Sequence, residues 1–192
     1  MKTARVTLES FAPYSQSRCH EVPRLGDKET DDAYAKRTAR EHLHVDENGE
    51  VFIPAQAFNK ALQTAASYLR MRIPGKGQSE YGKHFYGGVT AQQDGLKLDI
   101  KKEDEERIII ERLFLSPTGD KKGGKRVWKY YPTISSWKGT LEFYIFDDTI
   151  TEEVFEKVLA EAGMFIGLGR FRAEKGGFYG RYKVIRIEWV KG

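Results

Sequence analysis

The stretch GLGRFRAEKGGFYGRYKV, residues 167–184, packs five glycines and five basic residues into eighteen positions before the chain runs into an alternating terminus. Gly167, Gly169, Gly176, Gly177 and Gly180 permit positive φ and close backbone approach. Exposed N–H groups in such a turn bind anions as a concave nest. Arg170, Arg172, Lys175 and Arg181 add charge-assisted contacts to phosphate. Phe171, Phe178 and Tyr179 either stack on bases or pin the loop to a core. The glycines follow a helix instead of opening one, and no G-K-[ST] occurs, so the pattern is neither a dinucleotide fingerprint nor a P-loop.

On either side of this stretch the periodicities change. Upstream, DDTITEEVFEKVLAEAG (147–163) places Val154, Phe155, Val158, Leu159 and Ala162 on one helical face. Thr149 and Glu152 have capping-box spacing, Thr151 competes as the cap, and Gly163 supplies the stop. Downstream, RYKVIRIEWV (181–190) alternates as a strand. Residues 3–9 (ARVTLES) and 139–146 (GTLEFYIF) alternate likewise, and 107–115 (RIIIERLFL) reads as a strand with a buried run. PAQAFNKALQTAASYLR (54–70) begins with a proline suited to a first helical turn and repeats apolar residues at helical spacing. GGVT and LKLDIK read as short strands around a turn at Asp94-Gly95. Residues 11–50 are polar and irregular, with a short helix inside DDAYAKRTAREHLHV. SPTGDKKGGKRVWKYYPTISSW reads as a loop or protruding hairpin. The skeleton is strand, helix, strands, strand, helix, strand. That order predicts an α+β, ferredoxin-like or RRM-like βαββαβ sheet, antiparallel, with two helices on one face and long inserted loops. One domain over 1–192 is expected, with insertions near 11–50 and 116–138.

A glycine-rich loop between the second helix and the last strand of such a fold resembles the RAMP superfamily, the repeat-associated RNA-binding proteins of CRISPR systems. GLGRFR and GGFYGRYKV resemble the two halves of that loop. FIPAQAFNKAL (52–62) resembles the family's proline-led entry to the first helix, with Ile53-Pro54, Lys60 and Ala61-Leu62 matching; Ala55 stands where the family has glycine, and no glycine follows Lys60. The resemblance implies single-stranded RNA binding without strong sequence choice, copies stacked along the strand, a cytoplasmic ribonucleoprotein partner, and no cofactor. A subunit of an antiviral CRISPR system and a compact phage or mobile-element relative are both consistent with it.

The net charge of +4 and pI near 9.0 say less than the distribution of charge. Residues 27–50 carry eight acids against four bases. Residues 119–138 carry six bases against Asp120, and 170–186 carry six against Glu174. Such local excess is what a polyanion feels. In the first basic stretch Lys121, Lys122, Lys125, Arg126 and Lys129 interleave with Trp128, Tyr130 and Tyr131, a pattern for phosphate contact and base stacking. A weaker third stretch has Arg70, Arg72, Lys76 and Lys83 with Tyr81, Phe85 and Tyr86. One cysteine, Cys19, excludes an internal disulfide, and neither a secretory h-region nor a membrane span is expected.

Catalytic readings are thinner. His42, His44 and Asp46 in EHLHVD have metal-ligand spacing, but the Cys or His partners of a zinc site are missing. Asp31 and Asp32 in ETDD resemble a metal-binding cleavage site in some RAMP relatives, although a helix cap explains them equally. His20 or His44 is the histidine to test as an RNA-cleaving base. The sequence thus favours a binder of single-stranded RNA without catalytic or metal residues. The alternatives are a single-stranded DNA binder of a phage replication or recombination module, a metal-independent endoribonuclease, and a decoy subunit that inhibits a CRISPR complex.

Overall fold

In the computed structural model, which describes residues 1–115 and 126–190, the chain alternates strands and helices in an order set by where apolar side chains recur. It forms β1 (Lys2–Ser10), β2 (Tyr14–Ser15), α1 (Asp31–Arg37), β3 (Glu50–Ile53), α2 (Ala55–Leu69), α3 (Gly82–Gly87) and β4 (Val89–Ala91). Then come β5 (Leu96–Lys101), β6 (Ile108–Leu115), β7 (Val127–Ile134), β8 (Lys138–Ile145), α4 (Glu152–Glu161) and β9 (Tyr182–Val190).

The main sheet has the order β4-β8-β1-β9, all neighbours antiparallel. In chain order that is second, third, first, fourth, with α2 and α4 as the crossovers, which is the ferredoxin-like βαββαβ arrangement. Both helices cover one face. Ala4, Val6 and Leu8 of β1 and Leu141, Phe143 and Ile145 of β8 point into it and are buried. Phe58 of α2 and Phe155 of α4 meet Phe143 edge-on, with centroids 6.2 and 5.4 Å away. Each of these fully buried rings contributes roughly 2–3 kcal/mol of apolar transfer. The other face is polar: Arg5 pairs with Glu142 at 2.7 Å and Lys183 with Glu9 at 3.6 Å. A bulge between Thr7 and Leu8 of β1 shifts the register of β9, so that Val184, Ile187 and Trp189 pack against the core while Ile185 stays exposed.

Outside this sheet, β6 and β7 form a hairpin paired from Ile108↔Ile134 to Leu115↔Val127, and β2 joins the free edge of β7. Residues 116–125 lie outside the described residues. Three expectations are corrected, and the open choice of cap for α4 is settled. The run 107–115 is not buried: Ile108 is, but Ile109 and Phe114 are about half exposed, because the hairpin leaves the core. The Asp94-Gly95 turn does not close a hairpin, since β4 pairs with β8 and β5 with β3. At the start of α4 Thr151, not Thr149, is the cap, accepting from Val154 N–H at 3.3 Å. Gly163 does not stop that helix; it sits inside a π turn (Ala162–Ile166), where a Cβ would lie 2.3 Å from the Tyr182 carbonyl. The stop is Gly167, at φ 74°.

Among the described residues no helix is long and apolar enough to cross a membrane.

Candidate nucleic-acid interface

Pro54 links β3 to α2, and no side chain caps the helix; Ala57 N–H turns back to the Pro54 carbonyl at 3.0 Å, which leaves the N–H groups of Ala55 and Gln56 open among the described residues. Lys60 and Thr64 follow at a four-residue spacing on one side of α2, opposite Phe58 and Leu62 in the core. Facing them is the glycine-rich loop. Lys60, Thr64, Ser17, Gly167, Gly169 and Arg172 wall one groove of about 280 Å³. The groove shares Ser17, Ala57 and Gly169 with a second cleft that holds Gln16, Gln56 and His44. The two sequence segments that carry the resemblance, more than a hundred residues apart, thus form opposite walls. Buried Gln16 holds this region in place, donating to the Phe52 carbonyl at 2.7 Å and accepting from His44 N–H at 2.6 Å.

The loop itself is folded and packed. The N–H groups of Gly167, Leu168, Arg170, Lys175, Gly176, Gly177, Tyr179 and Gly180 all donate to backbone carbonyls, so they do not form the anion nest expected from the sequence. Of the five glycines only Gly169, which lines the groove, has an N–H outside that set among the described residues. The glycines serve close approach instead. A Cβ would stand 2.3 Å from the Ser15 carbonyl at Gly169, 1.8 Å from the Phe171 carbonyl at Gly177 and 1.9 Å from the Leu168 carbonyl at Gly180.

The loop's charges are also partly spent. Arg172 pairs with Glu174 at 2.8 Å and reaches the Gly169 carbonyl; Lys175 pairs with Glu174 at 3.3 Å. Arg181 donates to the Met164 and Phe178 carbonyls and lies over the Phe178 ring, away from both clefts. Tyr179 donates to Glu111 of β6 at 2.7 Å, and burial together with that carboxylate pushes its phenol up to about 12. Tyr179 therefore pins the loop and is not a stacking platform. Arg170 differs. Its guanidinium lies over the Tyr131 ring, 3.4 Å from the centroid.

Tyr131 belongs to a third cleft, of about 370 Å³, between α1 and β7. Trp128 and Lys129 of the first basic stretch line it, and so do His20, Tyr34 and His42. His20 and His42 are 4.8 Å apart, and His42 is 5.2 Å from Tyr131. Val22 N–H donates to His20 Nδ1, while His42 Nδ1 donates to the Arg18 carbonyl at 2.8 Å. In the neutral state His20 therefore carries its proton on Nε2, and His42 presents a bare Nε2. His44 goes elsewhere, to the second cleft, with its ring against Phe52. The His-x-His spacing thus sends its two imidazoles into different clefts, which rules out a shared metal. Among the described residues no three His, Cys, Asp or Glu side chains are placed to hold an ion.

Burial holds both His42 and His44 below the usual imidazole range. At His42 the bond to the Arg18 carbonyl opposes this in part, while the charges of Arg170 and Lys129 reinforce it; Arg18 reinforces it at His44. The unfolded chain then binds more protons than the native one once the pH falls below about 6.5, so stability rises with pH through that window. Melting temperature is expected to fall between pH of about 7.5 and 5.5, and replacing both histidines by glutamine to flatten the drop. The depressed carboxylates of Glu29 and Asp46, each about 2, act only below the ordinary carboxylate range and do not confuse the measurement.

The remaining candidates are placed as follows. Arg126 is exposed next to Val127, at the end of the hairpin far from the core; Lys121, Lys122 and Lys125 lie outside the described residues. In the third basic stretch Tyr81 and Phe85 are core residues, Arg70 pairs with Glu80 at 3.2 Å, and only Tyr86 is an exposed aromatic. Asp31 pairs with Arg24 at 2.6 Å, and Asp32 accepts from Tyr130 at 3.1 Å, both in the first turn of α1 beneath a Thr30 cap. Tyr131 as the seat of Arg170, and His42 as the partner of His20, were not legible from spacing alone.

No protein-family model matches the chain, and no curated protein matches it. Solved structures do. A chain of a type III-B Cmr-beta complex bound to cognate target RNA superposes with a TM-score of 0.55 at 15% identity, over 99% of this chain and 61% of that one. Cmr6 from Pyrococcus furiosus gives a TM-score of 0.49 at 12% identity, over 96% of this chain and 99% of that one. This chain thus spans about three fifths of the length of the first neighbour, and it shares with that neighbour its fold.

Proposed function

We propose that the protein binds single-stranded RNA as a subunit of a CRISPR-like ribonucleoprotein assembly, holding the sugar–phosphate backbone in the groove between α2 and the glycine-rich loop. The observation that carries this is the meeting of residues 52–62 with 167–172 across one groove. The open first turn of α2 favours anions, Lys60 neutralises a phosphate, and Gly169 lets the backbone of the strand come close. Arg170 and Lys129 extend the positive path toward the third cleft, because Gly169 lines the groove and its neighbour Arg170 sits on Tyr131. That the fold neighbour comes from a complex bound to target RNA favours RNA over DNA as ligand. Fluorescence anisotropy with labelled RNA and DNA 20-mers tests this. RNA affinity is expected to fall about 30-fold between roughly 50 and 200 mM salt, the slope of three or four phosphate contacts. No binding at the lower salt ends the proposal; tighter DNA binding moves it to the DNA alternative.

A second reading, an endoribonuclease, rests on the His20–His42 pair. His42 Nε2 would take the 2′-hydroxyl proton, the 2′-oxygen would attack phosphorus, and protonated His20 would give its proton to the departing 5′-oxygen. The products are a 2′,3′-cyclic phosphate and a 5′-hydroxyl. Incubation of end-labelled RNA with chelator present is then expected to give cleavage that His20→Ala and His42→Ala each reduce at least 100-fold. Intact RNA after long incubation removes this reading and leaves the binding one standing.

A further inference from the structure

Resting on the RNA-binding reading, we infer that the cleft between α1 and β7 seats one backbone phosphate of the bound strand among Arg170, Lys129 and His42, and that His42 takes up a proton as the phosphate enters. The charge arrangement of the cleft leads there. The ion pairs among the described residues include neither Arg170 nor Lys129. The Arg170 Nε is buried without an acceptor, although its guanidinium is fixed on the Tyr131 ring and its own N–H is anchored on the Ser15 carbonyl at 3.0 Å. The guanidinium charge is held by rings alone, on Tyr131 and Phe171, and with no carboxylate beside it an anion is the partner it lacks.

The groups that face His42 come from every side of the cleft. His20 and Arg18 approach from the segment before α1, with Arg18 presenting its carbonyl. Tyr131 and Lys129 come from β7, and Arg170, outside the lining itself, reaches the edge of the cleft from the glycine-rich loop by lying over the Tyr131 ring. Tyr34 and Asp31 come from α1, and Asp31 is the one carboxylate of the lining, already held by Arg24 at 2.6 Å. In the free protein burial disfavours a proton on His42, and the charges of Arg170 and Lys129 add to that. A phosphate among the same groups reverses the balance: it offers an acceptor to a protonated Nε2 and cancels the repulsion. By linkage, whatever raises the proton affinity of His42 on binding must raise the affinity for RNA as protons become available.

Calorimetry with a 2′-O-methyl RNA 12-mer, which has no 2′-hydroxyl to attack, reads the uptake directly on the unaltered protein. Titrations at a pH of about 7 in two buffers of different ionisation enthalpy are expected to give different heats, equivalent to between about half and one proton bound per site. Affinity is expected to rise on the order of tenfold between pH of about 8 and 6. His42→Gln keeps a donor toward the Arg18 carbonyl and is expected to abolish that rise while still binding at the higher pH. Salt-dependent binding with equal heats in both buffers and a flat pH profile overturns the inference and spares the RNA-binding reading. Absence of binding at any pH removes both.

Discussion

Replacing Lys60 and Arg170 together by alanine is expected to weaken binding of single-stranded RNA about 100-fold, with the melting temperature within about 3 °C of the parent. Each cation is given one charge-assisted contact to phosphate. Such contacts contribute about 1.5 kcal/mol apiece, so two lost contacts amount to about 3 kcal/mol, or two orders of magnitude in affinity. Neither side chain supports the core. Lys60 is exposed on α2 while Phe58 and Leu62 carry the packing, and alanine is the better helix former. Arg170 keeps its place through its backbone bond to Ser15, which alanine retains, and gives up stacking contacts on Tyr131 and Phe171. The salt slope is expected to flatten by about 1.4, the value of two single-strand phosphates. Arg172→Ala is the contrast. That side chain already serves Glu174 and the Gly169 carbonyl, so its loss should reduce affinity only a few-fold while loosening the loop. A double variant that binds within threefold of the parent would mean that the strand does not follow this path.

The contrast between Arg170 and Arg172 also shows what the sequence conveyed and what it withheld. Elements whose apolar residues face one layer were legible. α2, α4, β1, β8 and β9 follow from periodicity because each buries a single stripe against the same core. Pairing was not legible where the stripe is short or faces something else. β4 has three residues and pairs with β8 through the corner at Gly88. β5 was misread as its hairpin partner because Asp94-Gly95 has the composition of a tight turn. In fact Gly95 is needed for approach, since a Cβ there would stand 2.2 Å from the Ile53 carbonyl. The run Ile108-Ile109-Ile110 looked buried, but hydropathy does not report that a hairpin has left the body. The site divided along the same line. Glycines and basic residues marked two of the segments that line clefts, 127–131 and 167–172, since chain composition carries that signal. Which charges remain available depends on partners fixed by backbone conformation: Glu174 neutralises two bases that composition had counted as free, and Tyr131 selects Arg170. Likewise the tight turn at residues 39–42 separates His42 from His44, where a strand would have put both on one side.

Gly180→Val is expected to lower stability by about 3–5 kcal/mol, a fall in melting temperature of roughly 6–20 °C for a chain of this size. The loop crosses the body at this residue. Its N–H donates to the Pro13 carbonyl at 2.7 Å, and its carbonyl accepts from Leu168 N–H at 3.0 Å, tying the entry of the glycine-rich loop to its exit and both to the strand segment beside β2. The residue is buried at φ 72°, and a Cβ would sit 1.9 Å from the Leu168 carbonyl and 2.5 Å from its nitrogen. Two costs therefore add: left-handed backbone for a β-branched residue, about 1–3 kcal/mol, and displacement of packed backbone, about as much again. Gly176→Ala separates them. Gly176 has nearly the same φ, 77°, but open space around it, so alanine there bears the conformational cost alone, about 1 kcal/mol. If the glycines are present for shape, Gly176→Ala keeps full RNA affinity, since its N–H already serves the Ala173 carbonyl. Chemical and thermal unfolding followed by far-ultraviolet circular dichroism distinguishes the outcomes. Should Gly180→Val melt within about 2 °C of the parent, the loop is not the packed element described, and its N–H groups return as candidates for the strand.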